Sequence, residues 1–258
     1  MEENKALGKF VWHDLMTLDP ARARQFYADL FGWTYNEVDM GGSKYPMIHA
    51  AGEDHGGVNN LDAAAGLPSH WICYVTVDDV DAAAAKAGEL GGRVAEKPMD
   101  IPGVGRFAVV VSPTGAALSA YKPNEWRGEG YEGPGRPGTF VWHELLALDP
   151  EEEGRFFDEV FGWNVVEQMT GPYGPYFLFK RRDRPDKDAA GMLKKPDGSG
   201  PSVWFPYIGV EDVDATAARL ETLGGKTWVK PTDIPEVGRF AVVGDPTGAM
   251  FGIYRSLR

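Results

Sequence analysis

Phe10-Val11-Trp12-His13-Asp14-Leu15-Met16-Thr17-Leu18-Asp19-Pro20 recurs as Phe140-Val141-Trp142-His143-Glu144-Leu145-Leu146-Ala147-Leu148-Asp149-Pro150, eight of eleven positions being identical at an offset of 130. The stretch reads as a strand over residues 10–18 that turns into a helix: Asp19 is an N-cap and Pro20 an N1 proline. Phe26, Tyr27, Leu30 and Phe31 then form the apolar stripe of a short helix, and Gly32 stops it. The same offset carries Phe26-Tyr27-Ala28-Asp29-Leu30-Phe31-Gly32-Trp33 onto Phe156-Phe157-Asp158-Glu159-Val160-Phe161-Gly162-Trp163.

Working outward, residues 97–121 match residues 230–254 at 17 of 25 positions. A self-similarity of this length makes the chain a tandem duplication. Between the copies, eight of the sixteen residues from 123 to 138 are Gly or Pro, a composition that interrupts regular structure and marks a linker. The organisation expected is therefore a first domain over 1–122, a linker over 123–138 and a second domain over 139–258.

Each copy divides again. After the first helix, residues 34–39, 45–50 and 56–60 are short extended candidates between Gly-rich turns. Residues 71–77 form a β-rich run, and Asp78 or Asp79 caps a helix that turns Val80, Ala83, Ala87 and Leu90 inward and ends at Gly91-Gly92. Strands follow at 93–96, 106–112 and 116–121, the last two joined through Pro113-Thr114-Gly115. The second copy repeats the pattern, with a strand at 204–210, a helix at 212–223 and a turn at Pro246-Thr247-Gly248. The fold class expected is α+β, built from four βαβββ units in two pairs.

Charge and composition narrow the function. With 26 basic against 38 acidic residues the net charge is −12, which disfavours nucleic acid, whose binding draws on Lys and Arg displacing counterions. The opening Met1-Glu2-Glu3-Asn4-Lys5 has no basic-then-apolar signal pattern, and no apolar run reaches the roughly 20 residues of a bilayer span. The expectation is a soluble, cytoplasmic protein with no membrane partner. Cys73 is the only cysteine, so an intrachain disulfide and a cysteine-rich zinc site are excluded, and it is expected in the core. No Gly-rich phosphate loop, Ser-His-Asp order or Gly-x-Ser-x-Gly motif is present.

Four βαβββ units in two pairs, the helix ending in Phe-Gly-Trp and the Pro-Thr-Gly hairpins together resemble the vicinal oxygen chelate superfamily of glyoxalase I, bleomycin resistance proteins and extradiol dioxygenases. The resemblance covers essentially the whole chain and is nearest to tandem two-domain glyoxalase-like proteins. It implies paired units whose sheets curl into an open cup, hence two cups here. Metal-using members place His, Gln or Glu on the first strand of each unit and Glu near the end of the fourth. Carried onto this sequence, those positions fall on Trp12, Ile72 and Ser119 in the first copy and on Trp142, Phe205 and Gly252 in the second. The remaining position lies within 57–60 or 191–193. On this alignment no metal is expected, with a divalent metal as the alternative cofactor reading. His13 and His143 neighbour acids in sequence, but strand alternation sends His13 to the face opposite Trp12 and Asp14.

Without a metal, Trp12, Asp14 and Met16 are expected to line the first cup, and Trp142, Glu144 and Leu146 the second. An aromatic wall with one carboxylate suits a small molecule. The structural alternative is that Asp14 and Glu144 cap loops or pair with Arg106 and Arg239. Those arginines sit in the repeated segments at 100–107 and 233–240. Each is placed either to meet a ligand carboxylate or to bridge to Asp100 or Asp233. His49, His55 and His70 occur only in the first copy, and Asn59-Asn60 stands where Met192-Leu193 stands in the second, so the first cup is expected to be the more polar.

Three readings follow: a metal-free binder of a small apolar or aromatic molecule, which leads; a metal-dependent lyase, isomerase or dioxygenase of the glyoxalase branch; and a non-catalytic scaffold. The partner expected is a small-molecule ligand, the chain being a monomer with intrachain domain pairing or a homodimer.

Overall fold

The computed structural model describes residues 6–40, 44–126, 135–171, 174–196 and 198–257. In the first repeat, β1 (Phe10–Thr17), α1 (Pro20–Phe31), β2 (Thr34–Asp39), β3 (Lys44–Ala50) and β4 (Glu53–Asn60) precede β5 (His70–Thr76), α2 (Val80–Glu89), β6 (Arg93–Ile101), β7 (Gly105–Val111) and β8 (Ala117–Pro123). The second contains β9 (Phe140–Ala147), α3 (Pro150–Phe161), β10 (Trp163–Gly171), β11 (Gly174–Arg181), β12 (Asp188–Lys194), β13 (Val203–Gly209), α4 (Val213–Thr222), β14 (Lys226–Ile234), β15 (Gly238–Gly244) and β16 (Met250–Ser256). The architecture is four βαβββ modules in two tandem domains, eight strands to each. Residues 127–134 of the expected linker lie outside the described residues.

Local chemistry sets the helix limits. The Asp19 carboxylate accepts the Arg22 amide at 3.0 Å, Pro20 occupies the first turn, and Gly32 closes α1 in the left-handed region at φ 73°. Asp149 and Gly162 do the same for α3. Asp79 and Asp212 cap α2 and α4. Two strands are markedly longer than expected: β4 starts at Glu53 instead of residue 56, and β6 runs on to Ile101 instead of stopping near residue 96. The register shift between Glu96 and Met99 absorbs Pro98, which has no amide hydrogen for the ladder.

Within each module the first strand lies parallel to the last, and the outer pairs are antiparallel, giving the orders β2-β3-β4-β1, β5-β8-β7-β6, β10-β11-β12-β9 and β13-β16-β15-β14. The modules gather into two compact units. Unit 1 comprises Met1–Val11, Cys73–Glu132 and His143–Trp204; unit 2 comprises Trp12–Ile72, Gly133–Trp142 and Phe205–Arg258. Each unit thus combines one module of the first repeat with one of the second. Unit 1 buries Val80, Leu118, Phe156, Phe157, Trp163 and Trp204 between the elements carrying α2 and α3. Unit 2 buries Leu15, Phe26, Tyr27, Leu220, Phe251 and Ile253 between those carrying α1 and α4.

The Phe-Gly-Trp motif has a clear job in both units. In unit 1 the Trp163 indole donates to the Gly8 carbonyl at 2.8 Å; Gly8 has φ 69°, and a Cβ there would stand 2.6 Å from the indole nitrogen. In unit 2 Trp33 donates to the Gly138 carbonyl at 2.7 Å, with Gly138 at φ 81°. Each tryptophan pins the segment that leads into a first strand, and only glycine fits the pinned position without strain.

A buried acid also sits in each unit, built in opposite ways. In unit 2 Asp245, on the turn before β16, accepts from Thr247, from the Ala249 amide and from the Tyr27 hydroxyl of α1 at 3.1 Å. In unit 1 the equivalent turn residue is Ser112, and the acid is Glu153 of α3, which accepts from Ser112 at 2.7 Å and from Thr114. Burial raises the pKa of both carboxyls.

Candidate functional site

Alternation along β1 places His13, Leu15 and Thr17 toward the unit 2 core and Trp12, Asp14 and Met16 on the other face. His13 is 5% exposed, stacks on Phe140 at 3.7 Å between ring centroids and shares a hydrogen bond with the His55 carbonyl at 3.0 Å. Burial holds its pKa down to about 3, so the ring is neutral near pH 7. In unit 1 His143 is likewise buried and stacks on Phe10 at 3.7 Å.

On the open face of β1 the side chains form a chain of hydrogen bonds. The Trp12 indole donates to the Tyr45 hydroxyl at 2.8 Å, and that hydroxyl donates to Asp14 at 2.6 Å. Tyr45 belongs to β3 and crosses β4 at Gly57, the register partner of Asp14; a Cβ at Gly57 would collide with its hydroxyl. Unit 1 repeats the device: Tyr176 of β11 crosses Gly191, the register partner of Glu144, and donates to Glu144 at 3.1 Å. Met16, Leu146 and Trp142 are half-buried on their strands.

Sequence reasoning missed Tyr45 and Tyr176. The signal was available, because a glycine in each fourth strand faces an acid in each first strand and leaves room for a reaching side chain. The register also moves the expected counterparts of the fourth strand by one residue. Gly57 answers Gly191 and Asn59 answers Leu193, rather than Met192.

Arg106 and Arg239 each hold two aspartates. In unit 1 Arg106 holds Asp81 through two nitrogens, at 2.8 and 2.9 Å, and Asp100 at 2.9 Å. In unit 2 Arg239 holds Asp214 at 2.7 and 2.9 Å and Asp233 at 2.7 Å. The bridges to Asp100 and Asp233 match one of the two expectations for these arginines. The grip on the first turn of the preceding helix, through Asp81 and Asp214, was not foreseen. Each guanidinium pulls the pKa of that aspartate down, and each ties a helix start to a hairpin.

The positions that the family resemblance assigns to a divalent ion do not fit one. The Trp12 nitrogen is a donor already used by Tyr45, and an indole N–H has no lone pair to offer. Ile72 and Phe205 are buried hydrocarbon. The Ser119 hydroxyl, itself buried, donates to the Ala108 carbonyl at 3.3 Å. Gly252 lies under the Tyr207 ring, which a Cβ would strike. A softer donor pair lies elsewhere in unit 1, where the buried Cys73 thiol and a His143 ring nitrogen come within 4.8 Å of each other.

The model of the Glyoxalase/Bleomycin resistance protein/Dioxygenase superfamily matches residues 9–119 and again 140–253. The chain belongs to this superfamily, and carries two copies of its domain. It is 36% identical over 248 residues to a protein named Putative glyoxylase CFP32 of Mycobacterium tuberculosis, covering 95% of this chain and 93% of the relative. It is 31% identical over 264 residues to the anthracycline biosynthesis protein DnrV of Streptomyces peucetius, covering 96% and 93% respectively. Among solved structures, the Mn(II)-bound glyoxalase from Novosphingobium aromaticivorans shares the fold with a TM-score of 0.65 at 18% identity, over 98% of this chain and 83% of that one. The 2,3-dioxygenase LapB from Pseudomonas sp. KL28 does so with a TM-score of 0.65 at 14% identity, over 98% and 93%. A metal-bound glyoxalase is thus among the proteins sharing this fold.

Proposed function

We propose that this superfamily member binds a small apolar or aromatic molecule on the sheet faces opposite its helices, and does so without a divalent metal. The observation that carries the reading is the Trp12–Tyr45–Asp14 chain of hydrogen bonds, which stands where the family's metal ligand would begin. An indole supplies area for stacking, and the tyrosine–carboxylate pair supplies one fixed polar contact for a hydroxyl or a cation. The Tyr176–Glu144 pair offers the same kind of contact in unit 1. A relative named for anthracycline biosynthesis supports a flat aromatic ligand over a small aldehyde adduct. The net charge of −12 supports a small molecule over nucleic acid.

Elemental mass spectrometry on protein purified without added metal or a histidine tag tests the metal-free half of the reading. A substoichiometric content of Mn, Fe, Ni and Zn supports it. Near-stoichiometric metal that survives mutation of Cys73 places an ion in a cup and makes a glyoxalase or dioxygenase assay the next step.

A further inference from the structure

One difference between the two repeats lies beside their first helices. In repeat 1, Arg24 of α1 lies with its guanidinium carbon 4.7 Å from the Tyr35 ring centroid and pairs with Glu37 at 2.9 Å. The offset of 130 puts Gly154, Val165 and Glu167 at the corresponding positions of repeat 2. The acid is retained, while the arginine and the ring it covers are gone. In that place unit 1 has an open groove of about 420 Å3 beside α3, floored by Gly154, Val165 and Phe177 and rimmed by Glu151 and Asp158. Glu167 is the register partner of Phe177, which puts it on the groove's side of the sheet, and it is exposed.

We propose that this groove receives an arginine side chain presented by a partner polypeptide, in the position that Arg24 fills from within the chain in repeat 1. The chemistry favours guanidinium over ammonium. A planar, weakly hydrated cation lies flat on an apolar floor while its edge pairs with a carboxylate; a lysine ammonium must give up stronger hydration to do so. Glu151 and Asp158 line the groove together with Arg155, and Glu167 stands on the same side of the sheet. Asp158 is already paired with Arg182 at 2.7 Å, which leaves Glu151 and Glu167 for an incoming cation. Arg155 stands one residue along α3, at the counterpart of Gln25, on the exposed rim. The inference is independent of the small-molecule reading, since the groove lies beside the helix and not on the open sheet face.

The test is a titration of the full chain, followed by amide NMR shifts at Gly154 and Val165, with the peptides acetyl-Ala-Arg-Ala-amide, its lysine analogue and its citrulline analogue. The arginine peptide is expected to give saturable shifts, the lysine peptide to bind several-fold more weakly and the citrulline peptide not to bind. Gly154→Arg, which restores the residue of repeat 1, should abolish the shifts. Glu167→Gln, an exposed change that leaves packing intact, should weaken binding roughly three- to tenfold. Absence of saturable shifts with the arginine peptide overturns the proposal. So does equal binding by wild type and Glu167→Gln, or equal affinity for all three peptides.

Discussion

The Tyr45 hydroxyl lies over Gly57 and donates to Asp14 at 2.6 Å, and Tyr176 repeats this over Gly191 toward Glu144 at 3.1 Å. In both units a tyrosine from the third strand reaches across a glycine of the fourth to an acid of the first. If this pair orients a ligand, Tyr45→Phe should weaken ligand binding about tenfold, the worth of one hydrogen bond to a charged group. Gly57→Ala should weaken it further by displacing the ring. On the expectation that the first cup is the more polar, Trp12→Ala should cost more affinity than Trp142→Ala. Fluorescence titration measures all four variants, and equal losses for the two tryptophans would count against a preferred cup.

His13 makes stability depend on pH in a defined direction. Its folded pKa of about 3 lies below the value near 6.5 of an unfolded histidine. Between those values the unfolded chain binds more protons, so the contribution of His13 is complete above about pH 6.5 and is lost as pH falls toward 3. His13→Phe keeps the stack on Phe140 and cannot titrate. It should be less stable at pH 7 by about 1–3 kcal/mol, through the unpaired His55 carbonyl. Its urea midpoint should also change less between pH 6.5 and 4 than that of the wild type.

Glu153 acts with the opposite sign. Burial raises its folded pKa, so the stability it contributes is present at low pH and is lost as pH rises through that folded pKa. Glu153→Gln removes the titration, and its stability relative to wild type should therefore improve from pH 4 to pH 8. Thermal melts at the two pH values check this. A relative stability that falls with pH would mean that the charged form is the one the cluster prefers.

Glu236 holds φ 63° at the hairpin position where repeat 1 has Gly103 at φ 75°. A side chain there carries strain that glycine lacks. Glu236→Gly should stabilise the chain by about 0.5–1 kcal/mol, raising the thermal midpoint without altering ligand binding.

How much of this was legible follows from range. The helix limits at Asp19, Gly32, Asp149 and Gly162 are written in neighbouring residues, and the duplication is written in the recurrence of residues 10–20 at 140–150. The removal of His13 from the face of Trp12 follows from strand alternation alone. Contacts set by register are different. Tyr45 meets Asp14 only because β3 and β4 place Gly57 between them, and the offset between Tyr45 and Tyr176 is 131 rather than 130, which hides the pair from a fixed-offset comparison. The Asp81 and Asp214 partners of the two arginines sit 25 residues upstream of them, but the acid at the same place in both helices was a usable sign. The gathering of modules from different repeats into each compact unit has no local signature, because the helices of both repeats carry apolar faces.

The most direct test of the metal-free binding claim is the affinity of chelator-treated protein for a fused-ring aromatic compound, read by tryptophan quenching with and without added Mn(II). The account predicts saturable binding whose Kd is unchanged by the metal. Binding that appears only when Mn(II) is restored would contradict it.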